Sequence, residues 1–224
     1  MASRRKVGNL LALAVLTALV ERPMHPYELA SVLRARGKDR SMKLKWGSLY
    51  TVMQNLEKHG FVEATGTSRE GRRPERTVYA ITPAGRAEVL DWVRELVGIP
   101  EREFPRFEAG LSEIGVLPPD EAVELLEQRL RILDTEAAEE RVAMDGLAKG
   151  LPRIFLVEVE FHAALRAAEI EWIRSLLKEL HDGTLTGVDA WRAWHETGHV
   201  PDDFAEFASI GRIPTDEEDG DPDS

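Results

Sequence analysis

The sequence predicts a mainly α-helical protein with one small β-hairpin, followed by a long antiparallel pair of helices. Apolar residues recur at helical spacing through most of the 224-residue chain. Two short runs with strand propensity flank a turn rich in Gly, Pro and Arg between residues 61 and 82. In the second half, two long amphipathic segments are separated only by Gly-Leu-Pro at 150–152, which predicts a helical hairpin.

The charge of the chain is divided unevenly along its length. Residues 1–97 hold 17 Lys and Arg against 10 Asp and Glu, a net charge of +7. The remaining residues hold 12 against 30, a net charge of −18, and together they give the formal −11 of the whole chain. A basic front half and an acidic back half indicate an anion-binding module joined to a part with a different task.

The chemistry-bearing residues argue against an enzyme. The chain has no cysteine, which excludes disulfides and thiolate metal sites and agrees with a reducing cytoplasm. No nucleophile–base motif, P-loop or dinucleotide fingerprint is present in the sequence. We therefore expect no catalytic site, no cofactor and no metal.

The N-terminal stretch RRKVGNLLALAVLTALV starts with basic residues and continues with an apolar run, as a signal peptide does. It is shorter than the roughly 20 residues that span a bilayer, and no small-x-small cleavage site follows it. The sequence therefore predicts a buried first helix in a cytoplasmic protein. Its inner face is Val7, Leu10, Leu11, Ala14, Val15, Ala18 and Leu19.

A second helix is predicted from Pro26 to a stop at Gly37. Tyr27, in its first turn, is expected to pack between this helix and the third helix. A third helix is predicted to start after Ser48 as N-cap and to end at Gly60. The buried stripe of this third helix is Leu49, Val52, Met53 and Leu56. The residues left facing outward are Tyr50, Thr51, Gln54 and Asn55.

The β-hairpin consists of a strand at 61–65, the stretch REGRRPER at 69–76, and a second strand ending at Thr82. Four arginines within eight positions make its tip strongly cationic, although such a cluster can also be ordinary solvated surface. Thr82 is the expected cap of a fourth helix, with Pro83 in its first turn.

The rest of the chain divides at clusters of Gly and Pro. We expect a front domain at 1–97, an α-helical domain at 98–182, an aromatic-rich extension at 183–210 and a disordered acidic tail at 211–224. The α-helical domain holds two long helices at about 119–149 and 153–180. The apolar stripe of the second long helix is Val157, Phe161, Ala164, Leu165, Ala168, Trp172, Ile173 and Leu176. Such a hairpin alone exposes apolar surface, so it should pair with another copy or with the front domain.

Three helices followed by two strands form a winged helix-turn-helix, a fold that places its third helix in the major groove of DNA. Gln54 and Asn55 can pair with adenine edges, whereas Tyr50 and Thr51 suit phosphate. The candidate DNA-binding residues are Lys45, Ser48, Tyr50, Thr51, Gln54, Asn55, Arg69, Arg72 and Arg73.

The front half resembles the PadR family of bacterial transcriptional regulators. The resemblance rests on PMHPYELA, GSLYTVMQNLEKHGFV and GRRPERTVYAITPAGR, while FEAGLSEIGVLPPDEAVELLEQRL resembles a virulence-activator-type C-terminal domain. Together the two resemblances cover residues 7–182. They imply a homodimeric DNA-binding regulator, usually a repressor and sometimes released by a small molecule. They also imply DNA contacts by Ser48, Tyr50, Thr51, Gln54 and the Arg72–Arg73 tip, and dimerisation through the first helix and the C-terminal helices.

Two other functions remain open. The module could be an adaptor whose arginines bind an acidic protein, or a metal-dependent sensor using Glu158 and His162, or His195 and His199, each pair four residues apart. An effector, if one exists, is of unknown identity. Five tryptophans could line its pocket or serve ordinary packing: Trp46, Trp92, Trp172, Trp191 and Trp194.

Overall fold

The computed structural model describes residues 5–38, 46–68 and 76–200, which form two compact units divided after Glu103. We call these the N-terminal unit, residues 1–103, and the second unit, residues 104–224. Within the described ranges the secondary structure is mainly helical with one two-stranded sheet, so the predicted mainly α fold with a small β-wing is confirmed.

The first two helices begin with side-chain caps. Helix α1 (Leu10–Glu21) follows Asn9, whose side-chain oxygen accepts a hydrogen bond from the Leu11 amide at 2.9 Å. Helix α2 (Pro26–Ala35) follows His25, whose Nδ1 accepts from the Glu28 amide at 3.1 Å. The predicted first and second helices are therefore present, although Leu10 lies on the exposed side of α1.

Helix α3 (Trp46–Lys58) begins earlier than expected, so the prediction that Ser48 is its N-cap is wrong. Thr51 Oγ1 donates to the Gly47 carbonyl at 2.9 Å, one turn back, which shows that Gly47 already lies in helical geometry. A residue inside the helix has helical backbone angles and cannot adopt the extended conformation that an N-cap requires.

The predicted stop at Gly60 is confirmed. Gly60 has a positive φ of 71°, its amide donates to the Glu57 carbonyl, and the Phe61 amide donates to the Leu56 carbonyl, both at 2.9 Å. These two bonds satisfy carbonyls that the helix end would otherwise leave unpaired, in the pattern of a Schellman motif.

Strands β1 (Val62–Ser68) and β2 (Arg76–Ile81) pair antiparallel, with Val62 opposite Ile81 and an irregularity between Ala64 and Gly66. β1 extends further than the predicted strand. The hairpin is also tied to the loop before α2, because Met24 and Tyr79 exchange two backbone hydrogen bonds of 3.0 Å. This bridge fixes the root of the wing against the two helices.

Helix α4 (Pro83–Gly98) closes the N-terminal unit. Thr82 accepts a hydrogen bond from the Gly85 amide at 3.0 Å, as predicted for its cap, and its hydroxyl donates to the Gly60 carbonyl at 2.6 Å. One core joins the six elements described in this unit. Its largest fully buried side chains are Val15, Leu16, Leu19, Met24, Leu29, Leu33, Leu49, Met53, Leu56 and Val62.

In its described residues, 104–200, the second unit contains four helices and two short 3-10 turns. Helix α5 (Arg106–Ser112) and a turn at Ile114–Val116 precede the long helix α6 (Pro119–Ala148). After a turn at Arg153–Phe155, helix α7 (Val157–Asp182) runs back along α6, and helix α8 (Val188–Thr197) follows. The predicted helical hairpin is thus present.

The face of α7 that lies against α6 differs in part from the predicted one. The core between the two helices is built from Leu126, Leu133, Ile170, Ile173 and Leu177. Ile173 was expected there, but Val157, Phe161, Leu165 and Trp172 are exposed. Apolar residues occupy two sides of α7, and helical spacing alone cannot tell which side faces α6.

Helix α8 packs onto the corner between α5 and α6. The Trp191 indole N–H faces the carbonyl oxygens of Gly115 and Leu117 at 3.1 and 2.9 Å. His195 Nε2 lies 3.0 Å from the same Gly115 carbonyl oxygen and must carry the proton, since that oxygen can only accept. The aromatic-rich segment up to residue 200 therefore forms part of the second unit, while residues 201–224 lie outside the described ranges.

Replacing Gly85 by Ala should destabilise the N-terminal unit by at least about 1–3 kcal/mol, the usual range for overpacking. A Cβ at this position would overlap the backbone carbonyl of Phe61 and lie 2.8 Å from the Ile81 side chain. Gly98→Ala in the same helix is the control, because nothing lies within 4 Å of its Cβ position and Ala favours helix. Urea unfolding of both variants measures the difference, and equal stabilities would contradict the packing described.

Candidate nucleic-acid interface

Helix α3 has one buried face and one exposed face, as predicted. Leu49, Val52, Met53 and Leu56 are all buried in the core of the N-terminal unit. Burying a side chain of this size stabilises the fold by about 1.5–3 kcal/mol, so turning this face of α3 to solvent would strongly destabilise the protein. The rotation of α3 about its own axis is therefore fixed, and its polar residues must point to solvent.

The exposed face brings together Tyr50, Thr51, Gln54 and Asn55. Each lies three or four residues from another along the helix, so the four side chains form one continuous surface of about two turns. Gln54 and Asn55 each offer an amide with two donors and one acceptor oxygen, the chemistry that pairs with an adenine edge. This surface can read bases if it enters a major groove.

The side chains of Thr51 and Ser48 are less available for contacts with DNA than the sequence indicates. The Thr51 hydroxyl already donates its one hydrogen to the Gly47 carbonyl, so a phosphate contact would require that bond to open. Ser48 is half-buried in the first turn of α3, at the edge of the exposed surface. Tyr50 and the two amides are therefore the strongest of the described candidates.

Tyr50 lies near a second phenol, on β2. Burial raises the pKa of Tyr79 above its ordinary value, and the Glu57 carboxylate and the Tyr50 phenol raise it further. A phenol is already protonated near neutral pH at its ordinary pKa of about 10, and the raised pKa extends this to higher pH, so Tyr79 keeps its O–H. Its backbone bridge to Met24 holds it in that position.

Tyr27 was expected to pack between helices, but it is 52% exposed in the first turn of α2. Its ring lies edge-on to His25, with ring centroids 6.4 Å apart. The sequence alone does not show whether this side chain is buried, because an aromatic residue in the first turn of a helix can lie in the core or on the surface. It adds a phenol to the exposed polar surface of the helix-turn-helix.

Four predicted DNA-binding residues, Lys45, Arg69, Arg72 and Arg73, lie outside the described residues. Their roles stay predictions from the sequence. Ser68 and Arg76, the described residues on either side of 69–75, are register partners of the two paired strands.

The histidine pairs make other contacts. His162 Nδ1 lies 3.6 Å from Glu140 Oε1, and His195 is engaged by the Gly115 carbonyl. Within residues 5–38, 46–68 and 76–200, no group of three or more His, Asp and Glu side chains is arranged to hold a metal ion. The described geometry therefore offers nothing in favour of the metal-sensor alternative.

The described tryptophans pack against different elements. Trp92 is buried in the core of the N-terminal unit. In the second unit, Trp172 meets the ring of Phe107 edge-on at 6.2 Å. The Trp191 indole faces the Gly115 and Leu117 carbonyls, and the Trp194 ring lies beside the His195 ring with centroids 5.1 Å apart. The Trp46 side chain lies outside the described part. These placements favour packing roles over a shared aromatic pocket.

None of the helices in the described part of the chain combines the length and the apolar character needed to cross a membrane. A helix-turn-helix followed by a β-hairpin, with a polar exposed face on the third described helix, defines the N-terminal unit as a winged-helix domain of the DNA-binding type.

The sequence comparisons agree with this class. The profile of the transcriptional regulator PadR-like family matches residues 15–91. The Mycobacterium tuberculosis protein named probable transcriptional regulator Rv1176c is 36% identical over 86 residues, which are 37% of this chain and 42% of that protein. The chain thus aligns with less than half the length of that curated relative. Residues 15–91 are thus similar to a family of transcriptional regulators.

Solved structures share the fold over a larger part of the chain. Bacillus subtilis PadR in complex with operator DNA has a TM-score of 0.64 at 21% identity, over 77% of this chain and 99% of that one. The same protein in complex with p-coumaric acid gives 0.64 at 18% identity and the same coverage. A PadR-like regulator from Bacillus cereus, BC1756, gives 0.54 at 15% identity, over 77% and 98%. The likeness of residues 107–130 to a virulence-activator-type domain stays a prediction.

Proposed function

We propose that this PadR-like regulator is a cytoplasmic homodimer that binds a pseudo-palindromic operator in a sequence-specific manner and represses transcription. The observation that carries the proposal is the exposed surface of α3, where Tyr50, Gln54 and Asn55 stand opposite a fully buried stripe. Bacillus subtilis PadR has been solved with operator DNA and has the same fold, which supports DNA as the ligand of this chain.

The contacts divide into base reading and phosphate binding. Gln54 and Asn55 supply the bidentate amides that recognise adenine N6 and N7 in the major groove. Tyr50, together with Lys45, Ser48 and Thr51, contacts the flanking phosphates and fixes the register. At the wing tip, Arg69, Arg72 and Arg73 bind the backbone or the adjacent minor groove.

The exposed apolar side of α7 supports the homodimer. Val157, Phe161 and Leu165 recur at intervals of four residues, so they form one stripe along the helix. Phe161 is 67% exposed and Leu165 56% exposed, which is unusual for such large apolar side chains in adjacent turns. A second copy can cover this stripe by two-fold pairing, in which each stripe packs against its equivalent.

A two-fold dimer imposes geometry on its DNA. Two copies of α3 then lie in successive major grooves, so the half-sites should be about 10–10.5 base pairs apart or a multiple of this. The net charge of −18 on residues 98–224 repels phosphate and favours the orientation in which the N-terminal units face the DNA.

We include release by a small molecule in the proposal. Bacillus subtilis PadR has been solved with p-coumaric acid, which supports a small-molecule effector for a regulator of this fold. An apolar compound that lowers operator affinity without unfolding the protein would establish this part of the proposal.

Binding to the upstream region of the protein's own gene separates the regulator from the adaptor. The regulator should bind that DNA in a salt-sensitive manner and bind random DNA of equal length much more weakly. An adaptor that recognises an acidic protein would bind both DNAs equally weakly. Electrophoretic mobility shifts at two salt concentrations measure both quantities.

Gln54→Ala should reduce discrimination between operator and random DNA by about 1–3 kcal/mol, because a bidentate base contact is lost. Gln128→Ala removes the same side chain from an exposed position on α6 and should leave discrimination unchanged. Fluorescence anisotropy titrations with both DNAs measure the ratio. Equal weakening on operator and random DNA would exclude base reading by Gln54.

Arg72→Ala combined with Arg73→Ala should weaken binding to every DNA sequence. The dependence of log K on log salt should flatten by up to about 2, since two fewer counterions are released. Titrations over a range of salt concentrations give the slope. An unchanged slope would show that these arginines do not touch phosphate.

Phe161→Asp combined with Leu165→Asp should convert the homodimer to a monomer, because burying two carboxylates in an apolar interface costs far more than the contact gains. Ala167→Asp lies on the polar side of the same helix and should leave the dimer intact. Sedimentation equilibrium distinguishes the 25.1 kDa chain from its dimer. A double variant that still dimerises would place the interface elsewhere.

A further inference from the structure

Charged side chains join α6 and α7 in the half of the hairpin nearest to its turn. The Arg166 guanidinium on α7 pairs with Glu136 and, at 3.1 Å, with Glu140 Oε1 on α6. His162 Nδ1, one turn before Arg166, lies 3.6 Å from the same oxygen of Glu140. The buried apolar core between the two helices lies nearer to their other ends. We call Glu136, Glu140, His162 and Arg166 the charged network.

The charged network carries a surplus negative charge. Its two carboxylates stand against one guanidinium, so one negative charge is unmatched while His162 is neutral. The Arg166 side chain is only 13% exposed and is already engaged by both carboxylates. A proton on His162 brings the network to zero charge, because the imidazolium and the guanidinium then match the two carboxylates.

The other charges near His162 do not remove this surplus. Glu158, four residues before His162 on α7, adds a carboxylate on the same side of the helix. Three further pairs of nearby residues have opposite charges and cancel: Glu139 and Arg141, and Asp145 and Lys149, on α6, and Arg153 with Glu160 at 2.9 Å. The surroundings of His162 therefore favour a positive charge on it.

Exposed apolar side chains border the charged network on both helices. Leu165 has Phe161 four residues before it and His162 three residues before it, so both stand one turn away on the same side of α7. On α6, the exposed Ile132 lies one turn before Glu136, and both line one shallow groove. A second copy that covers Phe161 and Leu165 therefore also covers the network.

Covering the network removes water from its charges. In the single chain the side chains of Glu136 and His162 are 50% and 60% exposed, so water screens the surplus charge. Taking an unmatched carboxylate out of water costs far more than taking out a balanced group of charges. A proton on His162 of each copy removes this cost, and histidine changes its charge between about pH 5 and 8.

We propose that formation of the homodimer takes up a proton at His162 of each copy, so that the dimer strengthens as the pH falls from about 8 to about 6. This inference rests on the proposed homodimer. The charged form of His162 is the one that the dimer stabilises, so its contribution is present at low pH and is lost as the pH rises. Acidification thereby favours the form that binds two operator half-sites.

The test measures the dimer dissociation constant of the full-length chain at fixed ionic strength, at about pH 6 and about pH 8. Sedimentation velocity with fluorescence detection covers picomolar to micromolar concentrations. His162→Gln stays neutral and His162→Lys stays positive at both pH values.

His181→Gln is the matched control. His181 also lies beside a carboxylate of α6, with its Nε2 3.4 Å from Glu127 Oε1, and its side chain is 54% exposed. Glu127 has a cation of its own, Arg131, at 3.8 Å, so this pair holds no surplus negative charge. Circular dichroism at each pH shows that every variant is folded.

We expect the dissociation constant of the wild type and of His181→Gln to rise about tenfold or more between the two pH values. The limit is about a hundredfold per pH unit, because a two-fold dimer takes up at most two protons at His162. His162→Gln should dimerise weakly at both pH values and His162→Lys tightly at both. A merely structural role of His162 would weaken the dimer in both variants, whatever the charge of the new side chain.

The remaining outcomes contradict the inference in distinguishable ways. An unchanged wild-type dissociation constant, a pH dependence that survives in His162→Gln, or a His162→Lys dimer no tighter than that of His162→Gln overturns the inference and leaves the homodimer standing. A wild-type chain that stays monomeric at both pH values overturns the homodimer and this inference with it.

Discussion

The burial of one face of α3 in the core is the constraint on which the rest of this protein depends. Leu49, Val52, Met53 and Leu56 cannot leave the core without a large loss of buried apolar surface. Their burial forces the polar side of the helix outward and fixes its rotation. The motif at Gly60 then ends the helix, and the bridge between Met24 and Tyr79 attaches the hairpin beside it. The packing of the core thus determines which side of α3 is exposed.

The two units differ in the kind of surface that their cores leave exposed. The N-terminal unit closes a single core from its six described elements and leaves the polar side of α3 exposed. The second unit is a helical pair whose small core covers only one side of α7, so Phe161 and Leu165 remain exposed. Its charge is opposite to that of the front half of the chain. One unit is thus suited to an anionic ligand, and the other to self-association.

Local patterns in the sequence were sufficient to predict the helices, the strands and the exposed side of α3, because helical periodicity and caps depend on residues only a few positions apart. The prediction of Ser48 as an N-cap was wrong, because α3 already begins at Trp46. The prediction that Leu165 packs in the hairpin core was also wrong, because α7 is apolar on two sides and the other side faces α6. The Met24–Tyr79 bridge and the ion pair of Arg5 with Glu88 join residues more than 50 positions apart, and no local pattern encodes them. The wing arginines fall outside the described residues, so their role still rests on the sequence.

The central claim, that the exposed face of α3 lies in the major groove of DNA, can be tested by directed cleavage from a single tethered site. The chain contains no cysteine, so Lys58→Cys places one thiol on α3, one turn beyond Gln54, and Gln128→Cys places one on α6. Each thiol is coupled to an iron chelate that generates hydroxyl radicals, and the bound operator is then sequenced for breaks. The account predicts cleavage within each half-site from position 58 and background cleavage from position 128. Equal cleavage from both positions, or none from position 58, would contradict it.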